Sequence, residues 1–149
     1  MSDNAVETES ADADGDGKLP GFGGSARDPP SLLGRLLFGG VLIYMAIENF
    51  RDLEGQIGYA ESKGLKKADQ LVPLTSGMLL AGGLGVTLWR LPRIATGAVV
   101  AFLAGVTPVM HDFWAIDDEQ QATIEQYQFF KNVAMLGAAF TFLKRAWRS

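Results

Sequence analysis

Four long apolar stretches follow a polar N-terminal segment and organise the rest of the chain. They cover residues 31–50, 71–89, 93–111 and 128–147. Charged residues gather at the ends of these stretches, whereas an amphipathic helix of a soluble protein carries them along one face. The first three stretches meet the ~17–25 mostly apolar residues that a helix needs to cross a bilayer, whereas Lys131 and Asn132 interrupt the start of the fourth. The pattern predicts an all-α integral membrane protein, a four-helix bundle in the cell membrane, rather than a soluble bundle.

The links between the stretches predict how the helices are connected. The link "RLPR" is short enough only for a tight hairpin, with Pro92 in the first turn of the following helix. The link over residues 52–69 predicts a short helix that ends at Gly64, and Asp117 is a candidate N-cap for a backward extension of the fourth helix. Small residues at four-residue spacing predict close helix contacts. They are Gly77, Ala81, Gly85, Gly97, Ala101, Gly105, Ala134 and Ala138.

The distribution of positive charge predicts the orientation of the helices. In an up-down arrangement, eight of the 13 Lys and Arg residues lie on the side of the two termini and five on the other side. Positive residues favour the cytoplasmic side of a membrane. Both termini are therefore predicted to be cytoplasmic.

Residues 1–30 form a separate acidic segment. The first 18 residues contain six acidic residues, one basic residue and no aromatic residue. Such a sequence cannot bury enough apolar surface to offset its ordering entropy, so we predict a disordered tail in front of a domain at 31–149. The motif "DADGDG" matches the start of a calcium-binding EF-hand loop, but Gly23 stands where that loop needs a glutamate. The tail is therefore interpreted as solvated rather than as a calcium site.

The composition narrows the chemistry of the chain. The absence of cysteine excludes disulfides, thiolate nucleophiles and cysteine-ligated metals. One histidine beside carboxylates is a poor metal site, so no metal is predicted. The net charge of −4 disfavours nucleic acid as a partner. No catalytic arrangement is evident, which limits any enzymatic role to that of an accessory subunit.

Polar side chains gather at the predicted external ends of all four helices. Ionisable residues in membrane segments usually face the bundle interior and a partner, so the ends predict a shared polar pocket. Pro108 is expected to bend the third helix there. The candidate pocket residues are Glu48, Asn49, Arg51, His111, Asp112, Lys131 and Asn132. Its predicted apolar walls are Phe50, Phe113, Trp114 and Phe130.

Three interpretations of this cluster remain open at the level of sequence. A pocket of this kind suits a small amphipathic ligand such as a quinone head group. It also suits a proton relay, because a histidine ordinarily changes charge between about pH 5 and 8. A structural ion-pair network is equally consistent, since Glu48 and Arg51 are spaced to pair on one helix surface.

Three motifs resemble those of the DoxX family of small four-helix membrane proteins. They are "YAESKGLKKADQLVPLTSGMLLAGGLGVTLW", "HDFW" after the third helix and "KNVAMLGAAF" in the fourth, and the resemblance covers roughly residues 32–143. The sequence departs from the family in having Lys66 and Lys67 where a proline is common, and no acidic residue near Met78. The resemblance implies a membrane subunit associated with redox chemistry. It extends to the candidate residues Glu48, Asn49, His111, Lys131 and Asn132.

We therefore expect a DoxX-like integral membrane subunit that supports a quinone-linked redox complex through the polar pocket. The expected partners are the lipid bilayer, a membrane redox protein and a second copy of the chain; the cofactor is unknown, with a quinone as the candidate. A non-enzymatic scaffold that holds a partner in the membrane is the alternative. A small carrier or proton relay is a third hypothesis.

Overall fold

The computed structural model describes residues 28–149, which form five α-helices and one 3-10 turn and contain no strand. The predicted disordered tail lies outside the described residues except for its last three positions, and its "DADGDG" motif lies wholly outside them. The helices are α1 Leu32–Arg51, α2 Leu53–Ser62, α3 Ala68–Leu88, α4 Pro92–Met110 and α5 Glu119–Arg148, and the turn is Phe113–Ala115.

Three of the helices are long and apolar enough to cross a membrane. They are Leu32–Arg51, Ala68–Leu88 and the stretch Pro92–Ala115, which includes α4 and the 3-10 turn. Large apolar side chains on these helices point outwards, including Leu37 at 63%, Tyr44 at 64% and Ile94 at 70% exposure. A soluble monomer rarely exposes apolar surface on this scale, whereas lipid tails accept it. The chain is therefore a multi-pass membrane protein, and a fourth span in α5 remains a prediction.

The helix ends follow local sequence signals. The predicted short helix is α2, which ends at Ser62 and is closed two residues later by Gly64 with φ +80°. The Leu65 amide donates to the Ala60 carbonyl over 3.0 Å. Glycine suits this left-handed position because it has no Cβ. Pro92 is the first residue of α4, as predicted. The cap of α5 is one residue later than expected, because the side chain of Asp118 accepts the Gln121 amide over 2.7 Å.

Glycines bring neighbouring helices into close contact, although most are not the ones expected from the four-residue spacing. A Cβ added at Gly39 of α1 would lie 2.8 Å from the Gly83 carbonyl oxygen of α3. At Gly82, Val99 of α4 and its neighbours occupy the corresponding space. Gly85 also makes such a contact, with Ala95 of α4 and the Arg90 carbonyl.

The predicted contacts are wrong at Gly77, Gly97 and Gly105. No atom of another helix lies within 4 Å of where a Cβ would stand at any of these three positions. Spacing places residues on one helix face but does not say which face meets another helix, which explains the error.

The main apolar core lies across the middle of α1, α3, α4 and α5. Beside it, Phe38 of α1 stacks on Phe142 of α5 with ring centroids 5.0 Å apart. A smaller cluster packs α2 against α3 through Ala60, Ala68 and Val72. The buried residues of the main core are Leu42, Ala46, Leu79, Val99, Phe102, Leu103 and Ala139.

Candidate functional site

A cavity of about 610 Å³ lies between the helices at the end opposite the α3–α4 hairpin. All five α-helices contribute side chains to its wall, and its apolar part includes Met45, Met78, Phe102 and Val106. Small-molecule sites commonly have volumes of ~300–1,000 Å³ with mostly apolar walls and a few placed polar groups. The cavity is therefore of the size and character that a small amphipathic molecule requires.

Glu125 is the centre of a hydrogen-bond network on the cavity wall. This residue lies in the first half of α5 and is 6% exposed. Tyr59 of α2 donates its hydroxyl proton to Oε1 over 2.7 Å, and Nδ1 of His111, at the end of α4, lies 2.7 Å from Oε2. Gln121 adds a longer contact of 3.4 Å to Oε1. The carboxylate thus joins three helices, and Tyr59, His111 and Glu125 all line the cavity.

The surroundings of Glu125 stabilise its charged form. Burial by itself raises the pKa of this carboxyl, but hydrogen bonds from His111 and Tyr59 and the nearby charges of His111 and Lys63 outweigh burial, so the pKa lies below the ordinary 4.5. Burial raises the pKa of the Tyr59 phenol, and its hydrogen bond to Glu125 and the charge of that carboxylate raise it further. The pair is therefore an ionised acceptor and a phenol that keeps its proton.

An ion pair fastens α2 to the end of α4 beside this network. The Lys63 amine contacts the carboxylate of Asp112, and the two side chains are 13% and 25% exposed. The same amine lies 5.4 Å from the centroid of the Tyr59 ring. The Tyr59 hydroxyl also contacts the Met110 carbonyl oxygen at 3.0 Å. These contacts hold α2 across the end of α4, where it forms part of the cavity wall.

Four of the residues expected from the sequence line the cavity. They are Asn49, His111, Lys131 and Asn132. The amide of Asn49 donates to the Ser76 hydroxyl of α3 over 3.3 Å. The Lys131 amine donates to the Gln128 side chain one turn earlier in α5. The structure therefore brings residues from α1, α4 and α5 to one cavity.

The other three expected residues lie elsewhere. Glu48 and Arg51 pair with each other over 2.9 Å at the surface, where their side chains are 43% and 72% exposed. Neither lines the cavity, and this contact is the surface pair that their spacing allows. Asp112 is also absent from the cavity wall, because its carboxylate is bound to Lys63.

The expected aromatic wall is also in a different place. Phe113 and Trp114 pack edge to face with ring centroids 5.2 Å apart, and Phe130 is 56% exposed on the surface beside them. Phe50 is 41% exposed, and none of these four lines the cavity. The register of α5 explains the position of Phe130, because the turns that direct Glu125 inwards direct Phe130 outwards.

Glu125 and Tyr59 are the two functional candidates that sequence reasoning missed. Glu125 lies before the apolar stretch of α5, in a segment with many polar residues, so hydropathy does not indicate its burial. One pattern could have identified it: Gln128 and Asn132 follow Glu125 by three and seven residues, so the three polar side chains share one helix face. Tyr59 has no such signal, because only the fold places α2 over the end of α4.

Asn132 is a deeply buried residue of the cavity wall, and one of its polar atoms has no hydrogen-bond partner. The residue is 3% exposed, and its Oδ1 has no hydrogen-bond partner among residues 28–149. Leaving a buried acceptor unsatisfied costs ~1–3 kcal/mol. The Thr107 hydroxyl is also unpartnered but does not line the cavity.

The described part of the chain contains no group of three or more His, Asp or Glu residues placed to hold a metal ion. The polar groups of the cavity wall are a carboxylate, an imidazole, a phenol, hydroxyls, amides and an amine. These groups can bind a polar head group by hydrogen bonding.

A comparison with protein families relates this architecture to known proteins. The DoxX family model matches residues 31–112, which is more than half of the 149-residue chain. The match begins at the N-cap of α1 and ends just after His111, so that it includes α2 and Tyr59. No similarity was found to curated proteins or to solved structures. The family match, together with three helices able to span a membrane, shows that the chain is a member of the DoxX family.

Proposed function

We propose that this protein is a membrane subunit that binds the head group of a quinone-type ligand and thereby supports a membrane redox complex. The observation that carries the proposal is the cavity, whose apolar wall adjoins the network of Tyr59, Glu125 and His111. A quinone has the same division into an apolar ring and tail and two oxygen atoms. Its head group fits a site in which a few polar groups set the orientation.

The position of the cavity on α4 supports access from the lipid. Ala101, Gly105 and Val109 line the cavity and are also exposed, so the cavity reaches the apolar surface of a helix that can span the membrane. A lipid-soluble tail can lie there while the head group enters between the helices. Small side chains at two of these positions leave room for it.

The proposal includes four spans, the fourth in residues 128–147, with both termini in the cytoplasm and the cavity near the external face. The distribution of Lys and Arg supports this orientation. The chain has no cysteine, so single cysteines can be introduced without background. A cysteine at Ser62 should react with an impermeant reagent in intact cells, and one at Arg90 only after permeabilisation. Equal reactivity of both in intact cells would contradict the orientation.

The binding proposal is tested with purified protein in lipid nanodiscs. A quinone with a short alkyl tail and a photoreactive group should crosslink to cavity residues, and we expect Glu125→Gln and His111→Ala to weaken its binding by roughly tenfold. Glu48→Gln is the matched control, since it removes a carboxylate of the same end of the molecule that does not line the cavity. Equal binding by all four proteins would refute the proposal.

The redox complex is tested in native membranes. Affinity purification of the tagged protein in mild detergent should recover an oxidoreductase component, which mass spectrometry identifies. Recovery of the tagged chain with no redox protein would remove that part of the proposal and leave ligand binding to be judged separately.

A proton relay is the second candidate, and one observation favours it. Tyr59, Glu125 and His111 form a continuous hydrogen-bonded chain with both contacts to the carboxylate at 2.7 Å. Liposomes containing the protein and a pH-sensitive dye would then show a proton flux that Glu125→Gln abolishes. A flux equal to that of protein-free liposomes excludes the relay.

A further inference from the structure

We propose that the end of the bundle that holds the α3–α4 hairpin binds the phosphate group of an anionic phospholipid, and that Arg93 is the residue that recognises it. The ligand is a lipid of the surrounding membrane. The site is separate from the cavity, so the inference does not depend on the proposed function.

Basic side chains predominate at this end of the molecule. Within residues 28–149 it holds a single acidic residue, Asp28, whereas the opposite end holds ten acidic and five basic residues. The basic residues of the hairpin end are Arg35, Arg90, Arg93, Lys144, Arg145 and Arg148. Basic clusters beside membrane spans attract anionic lipids. A site, as opposed to a diffuse attraction, also requires a donor that is fixed in place.

Arg93 is fixed in place by two contacts with the last turn of α5. Its Nε donates to the Ala146 carbonyl over 3.2 Å, and its guanidinium carbon lies 5.3 Å from the centroid of the Trp147 ring. The Ala146 carbonyl is one of the last four of its helix, which have no backbone partner within the helix. Ordering a long side chain opposes binding, so a guanidinium that is already held gives a ligand a prepared partner.

The two terminal nitrogens of Arg93 remain available for a ligand. A guanidinium has five N–H donors, and the contact with Ala146 uses only the one on Nε. No hydrogen bond or ion pair from residues 28–149 reaches Nη1 or Nη2, and the residue is exposed. Arg35 differs, because both its Nε and its Nη1 donate to backbone carbonyl groups. The free fork of Arg93 matches two oxygens of one phosphate group.

The surface beside Arg93 is apolar and exposed, which distinguishes a lipid from a free anion. Leu91 is 73%, Ile94 70% and Trp147 66% exposed. Ile94 belongs to a helix long and apolar enough to span the membrane, so a lipid whose phosphate contacts Arg93 can lay its acyl chains along this surface. A zwitterionic lipid also carries a cation, which the surrounding basic residues repel. The charge and the apolar surface together favour an anionic phospholipid.

The inference is tested by native mass spectrometry of the protein released from detergent micelles. The probes are phosphatidylglycerol and phosphatidylcholine with identical acyl chains, and inorganic phosphate serves as a competitor. The wild-type protein should bind phosphatidylglycerol about tenfold more tightly than phosphatidylcholine, and millimolar phosphate should not displace it. Equal affinity for the two lipids overturns the inference. Displacement by phosphate would identify a site for a free anion and would overturn it as well.

Substitutions that keep the charge separate a site from diffuse attraction. Arg93→Lys retains the positive charge but removes the planar fork, so it should weaken the binding of phosphatidylglycerol by about fivefold or more. Arg148→Lys is the matched control at the same end, because no hydrogen bond or ion pair within the described part of the chain holds Arg148. It should change the affinity by less than about twofold. Equal effects of the two substitutions would show a diffuse attraction and overturn the assignment of Arg93.

A third variant separates binding from the structural contact between α4 and α5. Trp147→Leu removes the ring beside the guanidinium and keeps an apolar side chain, so it should reduce the ratio of the two lipid affinities by roughly threefold. A purely structural role would lower the thermal stability of Arg93→Lys and Trp147→Leu while leaving that ratio unchanged, and this result would contradict the inference. If Arg93→Lys does not fold, the lipid series on the wild-type protein and Trp147→Leu decides the question.

Discussion

Removing the hydroxyl group of Tyr59 tests the link between α2 and the cavity network. Tyr59→Phe deletes one oxygen that contacts Glu125 Oε1 at 2.7 Å and the Met110 carbonyl at 3.0 Å, while the ring and its packing remain. A hydrogen bond to a charged group contributes ~1.5–3 kcal/mol net. We therefore expect the free energy of unfolding to fall by ~2 kcal/mol.

A double-mutant cycle isolates the interaction itself. Glu125→Gln removes the charge that strengthens the bond from Tyr59, so the second substitution should cost less in the presence of the first. Residues in one hydrogen-bond network show interaction energies of ~0.5–3 kcal/mol. We expect an interaction energy of ~1 kcal/mol here, because the amide oxygen of the substituted glutamine still accepts a weaker hydrogen bond from Tyr59.

The assay is reversible unfolding in mixed detergent micelles, followed by the fluorescence of the tryptophan residues. Tyr127→Phe is the matched control, because Tyr127 lies on the same helix as Glu125 and is 73% exposed. It should change the free energy of unfolding by less than ~0.5 kcal/mol. Additive effects of Tyr59→Phe and Glu125→Gln, within ~0.3 kcal/mol, would refute the reasoning.

Three further predictions concern pH, helix packing and the ion pair. The pKa of Glu125 is lowered in the folded state, so its carboxylate stabilises the fold above about pH 4.5 and this contribution is lost as the pH falls below that value. Acid unfolding curves of Glu125→Gln should therefore show a smaller loss of stability over this range. Gly39→Ala should lower the free energy of unfolding in detergent micelles by ~1–3 kcal/mol, because the new Cβ meets a backbone carbonyl of α3 at 2.8 Å. Gly40→Ala, where no atom of another helix lies within 4 Å, should be neutral or stabilising in the same assay. Lys63→Met should speed backbone hydrogen exchange in α2 by leaving the carboxylate of Asp112 unpaired, and Lys63→Met with Asp112→Leu should restore part of the protection.

The proposed site draws on residues within and beyond the DoxX match. Tyr59 and His111 lie within residues 31–112, whereas Glu125 and Asn132 lie in α5, beyond it. The network therefore depends on how α5 is placed against α4. A test on the matched region alone would lack the carboxylate that joins the other two side chains.

The fold was predictable to the extent that it depends on local composition. The apolar stretches that give α1, α3 and α4 are visible in the sequence, because lipid demands long runs of apolar residues. Gly64 and Pro92 mark helix ends because their backbone preferences are local: glycine accepts a positive φ, and proline suits the first turn of a helix. The sequence also predicted the helical extension before residue 128, with an error of one residue at its N-cap.

The site was only partly predictable. Asn49, His111, Lys131 and Asn132 were expected at one end of the bundle and line the cavity there. Glu48 was expected with them, but its rotation on α1 directs it to the surface and to Arg51.

The sequence by itself determined that the chain is helical, embedded in a membrane and polar at one end of its helices. Those properties depend on hydropathy and on residues close together in the chain. The tertiary structure decided which polar groups meet: Tyr59 and Glu125 are 66 positions apart and are joined by a hydrogen bond of 2.7 Å. Such a contact depends on the rotation and offset of packed helices, which side chains from every neighbouring helix set together and which no single stretch of sequence records.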